Sequence, residues 1–445
     1  MKETLSFIGL GKLGLCMAAC LAVKGGYKVI GIDVNENVVN SFKKGVAPIV
    51  EPRLQEYINK AGKNLIATTS YQEAIAKTDI TFIMVATPSK PDGSFSNEYV
   101  EASLKSLSEL LKKSNKKYHL FVISSTVMPG SIEASFIPLI ERFSERKLNI
   151  GFGVCYTPDL VALGNVIHDY LNPDMVILGQ SDQFAGDQVA TIHRRTCENN
   201  PPIFQMSLVN AEIAKVAVNC YITTKISFAN ALSNICERTP GANIDEITNA
   251  VGTDRRISPL YFKGGLSYGG TCFPRDTVAY LAIAKKCGLE GELISAVEKI
   301  NKRQDQLLVE RTLEYALATP DKKVSVLGLA FKPNTPVITE SPGIKLIESL
   351  VEKGLEIVVY DPLAIENTRA VFQDRITYAK SVRDCIAKSS VCVITTPDKE
   401  YKNIDDSYLT NECTVIIDCW RILDSGKFIK RIKYVAFGKG PQEDT

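Results

Sequence analysis

The feature that most constrains the fold of this chain is a glycine pattern between two apolar runs near the N-terminus. Residues 4–8 form the first apolar run, and the segment GLGKLG follows at residues 9–14. Small residues at 16–23 predict a helix, and the run 27–32 predicts a second strand that ends at Asp33. A strand, spaced glycines, a helix, a strand and an acid in this order predict a dinucleotide-binding fold.

Each glycine of this segment has a separate task. Gly9 makes the tight turn, Gly11 lets a pyrophosphate approach the backbone, and Gly14 lets the helix pack on the strand. The pyrophosphate then lies at a helix N-terminus, where free N–H groups and the helix dipole favour anions. Lys12 and Leu13, which lie between the last two glycines, are expected to contact the cofactor with them.

Asp33 indicates which dinucleotide binds. It lies about 20 residues after the glycines, where a carboxylate accepts hydrogen bonds from the ribose hydroxyls and repels a 2′-phosphate. NAD is therefore the cofactor we expect, rather than NADP. A glycine turn in some other α/β protein is the alternative interpretation of this segment.

Composition limits the classes of protein to which the chain can belong. A length of 445 residues predicts two or three domains, each with its own core. The formal net charge of +2, with no long basic run, argues against nucleic acid as a partner, and no apolar run approaches the roughly 18 residues of a membrane span. Twelve cysteines without metal-ligand spacing, and three histidines apart from them, predict reduced thiols in a cytoplasm and no bound metal.

The order of the apolar runs predicts three regions, 1–206, 207–318 and 319–445. Strand and helix patterns alternate in the first region, a helical pattern dominates the second, and a new alternating pattern begins near residue 320. We therefore predict an α/β protein in which two Rossmann-like, doubly wound domains are joined by a long central helix and a helical middle region. The first domain is expected to hold NAD, and the last a nucleotide-bearing substrate.

Two predicted strands of the first domain, 78–86 and 119–124, open onto polar segments that contain Thr87 and Thr126. Because ligands of open α/β sheets bind beyond the carboxyl ends of the strands, both threonines are candidate cofactor contacts. Capping of the following helix is an equally good interpretation of either residue.

A single cysteine behind a glycine turn is the strongest candidate for chemistry. The segment YGGTCFPRD at 268–276 contains Cys272, and Asp276 follows four residues later. If a helix begins after the turn, both side chains lie on one face. A thiol in such a place can bond to a carbonyl carbon while the carboxylate moves protons or positions water. A buried structural cysteine is the alternative.

A further candidate lies on the helix predicted over residues 207–237. Glu212, Lys215 and Asn219 share one face of this helix. A lysine and an asparagine one turn apart can stabilise an oxyanion. The alternative is a polar stripe that faces solvent.

Together these segments resemble the nucleotide-sugar 6-dehydrogenases, the UDP-glucose/GDP-mannose dehydrogenase family, over essentially the full length of the chain. The matching motifs come in family order: GLGKLG, VATP with its DGS turn, SSTVMPG, AEIAKVAVN, YGGTCFPRD, and GLAFKPNT followed by ESP. The resemblance implies an N-terminal NAD domain, a long central helix that supports a homodimer or higher homo-oligomer, and a C-terminal domain that holds the sugar nucleotide.

The resemblance also implies roles in a four-electron oxidation of the C6 alcohol to the acid. Cys272 matches the nucleophile, which forms a thiohemiacetal and then a thioester. Lys215 and Asn219 match the pair that stabilises the reacting oxygens and contacts the substrate. Asp276 matches the aspartate that works with Lys215 on a water molecule, and Thr126 matches the threonine that holds the water network.

Four more residues are expected at the substrate by resemblance. Arg256 matches an arginine that reaches the substrate of a neighbouring subunit, and Lys332 matches a lysine that contacts the sugar nucleotide. Tyr261 and Gly269, which lie between Arg256 and Cys272, are expected to line the same site.

Several positions depart from the family pattern. The run that usually carries two glutamates reads TPDLVALG at 157–164, so Asp159 keeps a carboxylate on a shorter side chain and Leu163 has none. Asp159 is expected to retain the role of the first glutamate in thioester hydrolysis. Thr339 replaces an arginine expected near the cofactor. The C-terminal arginine segment reads DCWR, and its Arg421 is a candidate phosphate or sugar contact.

These departures leave three interpretations of the function. The run CFPRD at 272–276 resembles the UDP-glucose branch, which favours oxidation of UDP-glucose to UDP-glucuronate, with GDP-mannose or a UDP-N-acetylhexosamine as alternative substrates. A nucleotide-sugar-binding regulatory protein that has lost turnover belongs to a different class, and Leu163 favours it. A β-hydroxyacid dehydrogenase shares the two-lobe plan but needs a lysine base and no thiol.

Overall fold

The computed structural model describes residues 3–409, 414–428 and 432–441. These residues form two compact units, 1–218 and 219–445, and the division falls inside one long helix. The domain bounds 1–206, 207–318 and 319–445 stay a prediction. The extreme residues 1–2 and 442–445 of the outer domains lie outside the described residues.

The first unit is built on a sheet of eight strands. The strands are β1 (Thr4–Ile8), β2 (Lys28–Ile32), β3 (Leu65–Thr68), β4 (Ile80–Ile83), β5 (Leu120–Ile123), β6 (Gly153–Tyr156), β7 (Val176–Gln180) and β8 (Ile203–Met206). Their order is β3-β2-β1-β4-β5-β6-β7-β8, and neighbours are parallel except β6 and β7. The helices are α1 (Gly14–Val23), α2 (Glu36–Lys43), α3 (Leu54–Ala61), α4 (Tyr71–Lys77), α5 (Glu98–Lys112), α6 (Ile137–Ser144), α7 (Val166–Leu171) and α8 (Gln183–Thr196).

The strands of this sheet read as continuous apolar runs because helices cover both faces. Alternate residues of β1 show the arrangement. Leu5 and Phe7 pack in one hydrophobic cluster with Met17 of α1, whereas Ile8 packs in another with Leu104 of α5. The glycine turn that follows β1 is therefore anchored by packing on both faces of the sheet.

Four helices follow the first sheet: α9 (Leu208–Cys236), α10 (Ile244–Gly252), α11 (Phe273–Lys286) and α12 (Glu292–Ala316). The helix α9 has 29 residues and continues across the boundary between the units, which lies after Val218. Its bounds differ by one residue at each end from the helix predicted over 207–237.

A second sheet forms the C-terminal part of the second unit. Its strands are β9 (Lys323–Leu327), β10 (Glu356–Tyr360), β11 (Thr377–Tyr378), β12 (Val391–Ile394), β13 (Val415–Asp418) and β14 (Lys433–Ala436), and its helices are α13 (Pro342–Glu352), α14 (Ile365–Phe372) and α15 (Val382–Ile386). All neighbouring strands are parallel, in the order β11-β10-β9-β12-β13-β14. This order repeats the first six positions of the first sheet, so the predicted fold class with two doubly wound sheets and a helical middle region is confirmed.

Some strands are shorter than the apolar runs that predict them. The runs 78–86 and 119–124 give β4, which ends at Ile83, and β5, which ends at Ile123. Beyond these ends, hydrogen bonds to the side chain of Ser125 replace the backbone hydrogen bonds between the two strands. The Val85 N–H donates to Ser125 Oγ at 2.8 Å, and the Ser125 hydroxyl donates to the Val85 carbonyl at 2.8 Å. The loops that follow β4 and β5 are therefore joined by a side chain just beyond the ends of the two strands.

Candidate active site

The turn after β1 has the geometry that the glycine pattern predicts. Gly9 has φ +92°, and a Cβ atom there meets the backbone carbonyl of Met84, so the turn accepts only glycine. A Cβ on Gly14 meets the Gly9 carbonyl and lies 2.9 Å from the Phe7 ring. The first turn of α1 therefore packs directly on the end of β1.

The space in front of this turn is open. A Cβ built on Gly11 has no heavy atom within 4 Å, and Gly11 and Lys12 are exposed. Leu13 precedes α1 and makes no side-chain cap hydrogen bond, while the Leu15 N–H donates to the Gly11 carbonyl at 3.3 Å. An open turn at the N-terminus of a helix is the arrangement that a dinucleotide pyrophosphate needs. The residues present therefore fit NAD.

Asp33 follows β2 and is tied to the same turn. Its Oδ2 accepts the Leu10 N–H at 2.7 Å, and its Oδ1 accepts the Asn35 N–H at 2.8 Å. A carboxylate oxygen offers two acceptor positions, so each oxygen keeps one. The partly exposed Asp33 can therefore accept hydrogen bonds from ribose hydroxyls as well.

Thr87 and Thr126 bring together the loops that follow β4 and β5. The Thr87 hydroxyl donates to the Thr126 backbone carbonyl at 2.7 Å, and Thr87 is buried whereas Thr126 is partly exposed. Thr87 thus holds the two loops at the carboxyl edge of the sheet, where α/β proteins bind ligands.

The cysteine predicted as the nucleophile lies immediately before α11 and is exposed. The Asp276 N–H donates to the Cys272 carbonyl at 2.8 Å, so the segment is helical and the two residues are one turn apart. Asp276 is fully buried, and its Oδ2 accepts the Asn219 side-chain amide at 2.6 Å. Arg275 Nε lies 3.3 Å from the other oxygen. An exposed thiol thus lies one helical turn from a buried carboxylate that an amide and a guanidinium hold in place.

Amide side chains from two helices hold the chain that leads to Cys272. On α12, Asn301 accepts the Tyr268 N–H at 2.8 Å and donates to its carbonyl at 3.1 Å, and Gln304 donates to the Gly265 carbonyl at 2.6 Å. On α9, Asn230 accepts the Gly265 N–H at 2.8 Å. Gly269 lies against the Glu340 carbonyl and leaves no room for a Cβ. These contacts preorganise the turn before Cys272.

Polar residues on α9 are buried, which excludes the solvent-facing stripe. Exposure is 0% for Glu212, 8% for Lys215 and 7% for Asn219. Glu212 accepts the Gly130 N–H at 2.6 Å and the Ile132 N–H at 3.0 Å, and burial raises the pKa of this carboxyl to about 7. Sequence reasoning missed this role of Glu212, although an acid among apolar helix residues is a signal for a buried acceptor.

The Lys215 ammonium donates to the backbone carbonyl of Asp159 at 2.9 Å. Loss of hydration raises the pKa of the Asp159 carboxyl to about 7, and the positive charge of Lys215 opposes the rise. Asp159 lines a small cavity with Thr157, Tyr170 and His193. Burial lowers the pKa of His193 to about 4, so this ring is neutral near pH 7. Asp159 can therefore exchange a proton near neutral pH, as a general acid or base must.

Three residues predicted at the substrate lie in the second unit at accessible positions. Arg256 is highly exposed and pairs with Asp254 at 2.6 Å. Tyr261 places its ring edge-on to the Phe273 ring, with centroids 6.1 Å apart. Lys332 is partly exposed. The structure thus brings Tyr261 next to Phe273, the residue that follows Cys272.

Arg421 is engaged in the fold. Its guanidinium contacts Asp245 through Nε at 2.7 Å and Nη2 at 2.9 Å, and it donates to the carbonyls of Phe437 and Gly264 at 2.7 Å each. The side chain is 2% exposed. This geometry supports a structural role for Arg421, and its substrate contact stays a prediction. The neighbouring Trp420 packs on Gly265, where a Cβ meets the indole at 2.7 Å.

Neither a candidate membrane span nor a candidate metal site is present among the described residues. No helix in the ranges 3–409, 414–428 and 432–441 is both long and apolar enough to cross a bilayer. Within the same part of the chain, no cluster of three His, Cys, Asp or Glu side chains has an arrangement that could hold a metal ion.

Comparison with known proteins gave matches along most of the chain. Residues 3–197, 209–303 and 325–425 match the NAD binding, central and UDP binding domains of the UDP-glucose/GDP-mannose dehydrogenase family. A UDP-glucose 6-dehydrogenase of Haloferax volcanii is 37% identical, over 94% of this chain and 97% of that protein. A GDP-mannose 6-dehydrogenase of Pseudomonas syringae is 32% identical, over 80% of each. The solved UDP-glucose dehydrogenase of Pyrobaculum islandicum has a TM-score of 0.90 at 31% identity, over 99% of this chain and 98% of that one.

Proposed function

The chain belongs to the UDP-glucose/GDP-mannose dehydrogenase family of NAD-dependent oxidoreductases, and we propose that it oxidises the C6 alcohol of UDP-glucose to the carboxylate of UDP-glucuronate. The observation that carries this proposal is the exposed Cys272 thiol at the start of α11, one turn from the buried and fixed Asp276. The similarity to UDP-glucose 6-dehydrogenases supports the choice of sugar.

The glycine turn after β1 is proposed to hold the cofactor. Gly9, Gly11, Gly14 and the start of α1 receive the pyrophosphate, and Asp33 accepts the ribose hydroxyls. Bound NAD supplies the hydride acceptor, one equivalent for each of two oxidations.

Cys272 is proposed to keep the intermediate in the site. Its sulfur adds to the C6 aldehyde and forms a C–S bond, while the carbonyl oxygen takes up a proton to give a thiohemiacetal. Loss of hydride from C6 and of the hydroxyl proton then gives a thioester. Water adds to the thioester, the C–S bond breaks, and the thiol and the acid are released. The hydrolysis makes the second half of the reaction irreversible.

The polar groups around this chemistry are assigned by their bonds and burial. Lys215 and Asn219, one turn apart on α9 and both buried, are proposed to stabilise the oxygen that carries negative charge. Asp276 and Thr126 are proposed to position the hydrolytic water. Asp159, whose pKa lies at about 7, is proposed to accept a proton during hydrolysis.

The substrate contacts and the oligomer complete the proposal. Lys332, Tyr261 and Gly269 are proposed to contact the sugar nucleotide, and Arg256 to reach the substrate of a second copy. A row of exposed apolar side chains on α9, spaced by seven residues, supports a homodimer. The row consists of Tyr221, Phe228 and Ile235, which are 65%, 55% and 61% exposed.

The proposal is tested by supplying limiting UDP-glucose with excess NAD and counting NADH per sugar consumed. We expect about two NADH per UDP-glucose, because both oxidations occur before the product is released. A value near one, with free aldehyde as product, contradicts the thioester route. No NADH from UDP-glucose, but about two from GDP-mannose or a UDP-N-acetylhexosamine, contradicts only the choice of sugar.

A nucleotide-sugar-binding regulatory protein is the second candidate. One observation favours it, since Leu163 packs against the hydrophobic core of the first unit and offers no acid where the family pattern has one. Binding of a sugar nucleotide without NADH formation across all these substrates would support this candidate against the enzyme.

A further inference from the structure

Loop 254–261, which follows α10, is held by a single lysine. Lys225 lies in the middle of α9, and its ammonium donates to the backbone carbonyls of Ile257 at 2.9 Å, Ser258 at 3.1 Å and Leu260 at 2.6 Å. An ammonium group has three N–H donors, so this loop occupies all of them. Burial lowers the pKa of Lys225, and no hydrogen bond to a carboxylate is described for it.

The loop needs such support because of its backbone. Ser258 has φ +67° and Tyr261 has φ +60°, both in the left-handed region that residues other than glycine rarely adopt. Such conformations persist when the surroundings impose them. Lys225 binds the carbonyls between and beside these two residues. One turn further along α9, Phe228 stacks on Phe262 with ring centroids 6.1 Å apart.

The two ends of the loop serve different parts of the proposed site. Arg256, near its start, extends into solvent with its guanidinium on Asp254. Tyr261, at its end, meets the ring of Phe273, which directly follows Cys272. The conformation of one loop therefore sets both the outward arginine and the packing beside the nucleophile.

We propose that Lys225 is a positioning residue for the oxidation, which fixes loop 254–261 so that Arg256 and Tyr261 are presented to the sugar nucleotide. This inference rests on the proposed function, which assigns Arg256 and Tyr261 to the substrate. Lys225 itself contacts neither substrate nor cofactor in this account. It acts through the three carbonyls and through the loop that they belong to.

The test compares Lys225→Met with Lys302→Met, which removes an exposed lysine of α12. We expect Lys225→Met to raise KM for UDP-glucose about tenfold or more, since charge-assisted hydrogen bonds to the loop are lost. KM for NAD and the melting temperature should change little, and Lys225→Arg should recover most of the loss because a guanidinium also donates to carbonyls. Lys302→Met should leave all of these values unchanged.

A double-mutant cycle distinguishes a positioning role of Lys225 from general damage to the fold. If Lys225 acts through Arg256, the KM effects of Lys225→Met and Arg256→Ala combine to less than their product. Fully multiplicative effects, or an equal rise in KM for NAD, would overturn the proposal.

Hydrogen exchange tests the loop itself, independently of the reaction. The Ser258 N–H bonds the Asp254 carbonyl at 2.9 Å and the Phe262 N–H bonds the Pro259 carbonyl at 3.1 Å, so both amides report on the loop. We expect exchange about tenfold faster in Lys225→Met than in Lys302→Met. Unchanged exchange would overturn the inference even if the oxidation is confirmed. Faster exchange would support the hold on the loop even if the proposed substrate is wrong.

Discussion

The turns after β1 and β9 occupy the same position in two sheets whose strand order agrees over six positions, yet the surroundings of the two turns differ. Gly9 and Gly328 both have positive φ, +92° and +103°. In both turns a helix starts against the turn glycine. A Cβ on Gly14 meets the Gly9 carbonyl, and a Cβ on Gly343 lies 2.5 Å from the Gly328 carbonyl.

The acid at the end of the neighbouring strand shows the difference. Asp33 accepts two backbone N–H groups and keeps free acceptor positions. Asp361, which follows β10, accepts hydrogen bonds from four backbone N–H groups. Its oxygens take the N–H groups of Leu329, Ala330, Leu363 and Ala364, at distances of 2.8 to 3.1 Å. A carboxylate has about four acceptor positions, so Asp361 has none left for a ribose.

The connection to the helix differs as well. In the first unit α1 begins at Gly14, five residues after the turn glycine, and the approach at Gly11 is open. In the second unit the segment 331–341 lies between the turn and α13. A strand, a glycine and an acid are therefore enough for the fold, whereas a dinucleotide site also needs the open approach and an acid with free acceptors.

The largest expected effect separates chemistry in the second unit from NAD binding in the first. We expect Cys272→Ala to lower the rate of acid formation by at least about a thousandfold, because the thiol proposed to form the thioester is removed. The NAD dissociation constant, measured by calorimetry, should not change. Cys287→Ala, which removes an exposed thiol just after the other end of α11, is the control and should keep full activity. Sustained NADH production by Cys272→Ala would favour a dehydrogenase without a covalent step.

The two turn glycines should be equally important for stability. Gly9→Ala and Gly328→Ala each place a Cβ at positive φ against backbone or Thr396, and we expect each to lower the free energy of unfolding by about 2–4 kcal/mol in urea denaturation. Gly354→Ala has positive φ but open space, so about 1 kcal/mol is expected there. If Gly328→Ala proves as mild as Gly354→Ala, the two turns are not equivalent.

The two acids should respond in opposite ways. We expect Asp33→Ala to weaken NAD binding about tenfold, since the ribose loses its acceptor. Asp361→Ala should leave NAD binding unchanged but destabilise the protein by about 2–3 kcal/mol, because four N–H groups lose their partner. For both variants, calorimetry measures the affinity for NAD and urea denaturation measures the free energy of unfolding. Unchanged affinity in Asp33→Ala would remove this residue from the ribose site.

The smallest expected effect concerns pH and the first unit. Burial raises the pKa of Glu212 to about 7, so the folded protein binds a proton that the unfolded chain has released above pH 5. Stability should therefore fall as the pH rises from about 5 to 7.5, and Glu212→Gln should reduce this fall by roughly 1–2 kcal/mol. Asp159, with a pKa also raised to about 7, acts in the same direction. An identical pH profile in Glu212→Gln would contradict the buried position of this charge.

Local patterns in the sequence predicted the elements that depend on neighbouring residues. The glycine turn, the helix α9 and the helix after Cys272 each follow from residues within one or two turns of each other. Fold class, enzyme class and NAD are confirmed by the structure and the relatives.

Partners that are distant in the sequence could not be predicted. Lys225 meets a loop more than 30 residues away, Glu212 meets the N–H groups of Gly130 and Ile132, and Arg421 meets Asp245. The hydrophobic periodicity of a sequence does not indicate such pairs, because each pair depends on how separate helices, strands and loops pack. The number of N–H groups that Asp361 accepts could not be predicted for the same reason, since two of the four, those of Leu329 and Ala330, lie more than 30 residues away in the sequence.

Mass spectrometry of enzyme that is quenched in acid during turnover measures the covalent role proposed for Cys272. With UDP-glucose and NAD in excess, we expect the peptide that contains Cys272 to gain the mass of the oxidised sugar nucleotide. This gain should disappear as the substrate is exhausted, and Cys272→Ala should show none. If the wild-type enzyme turns over steadily while this peptide keeps its unmodified mass at every time point, Cys272 does not form the thioester.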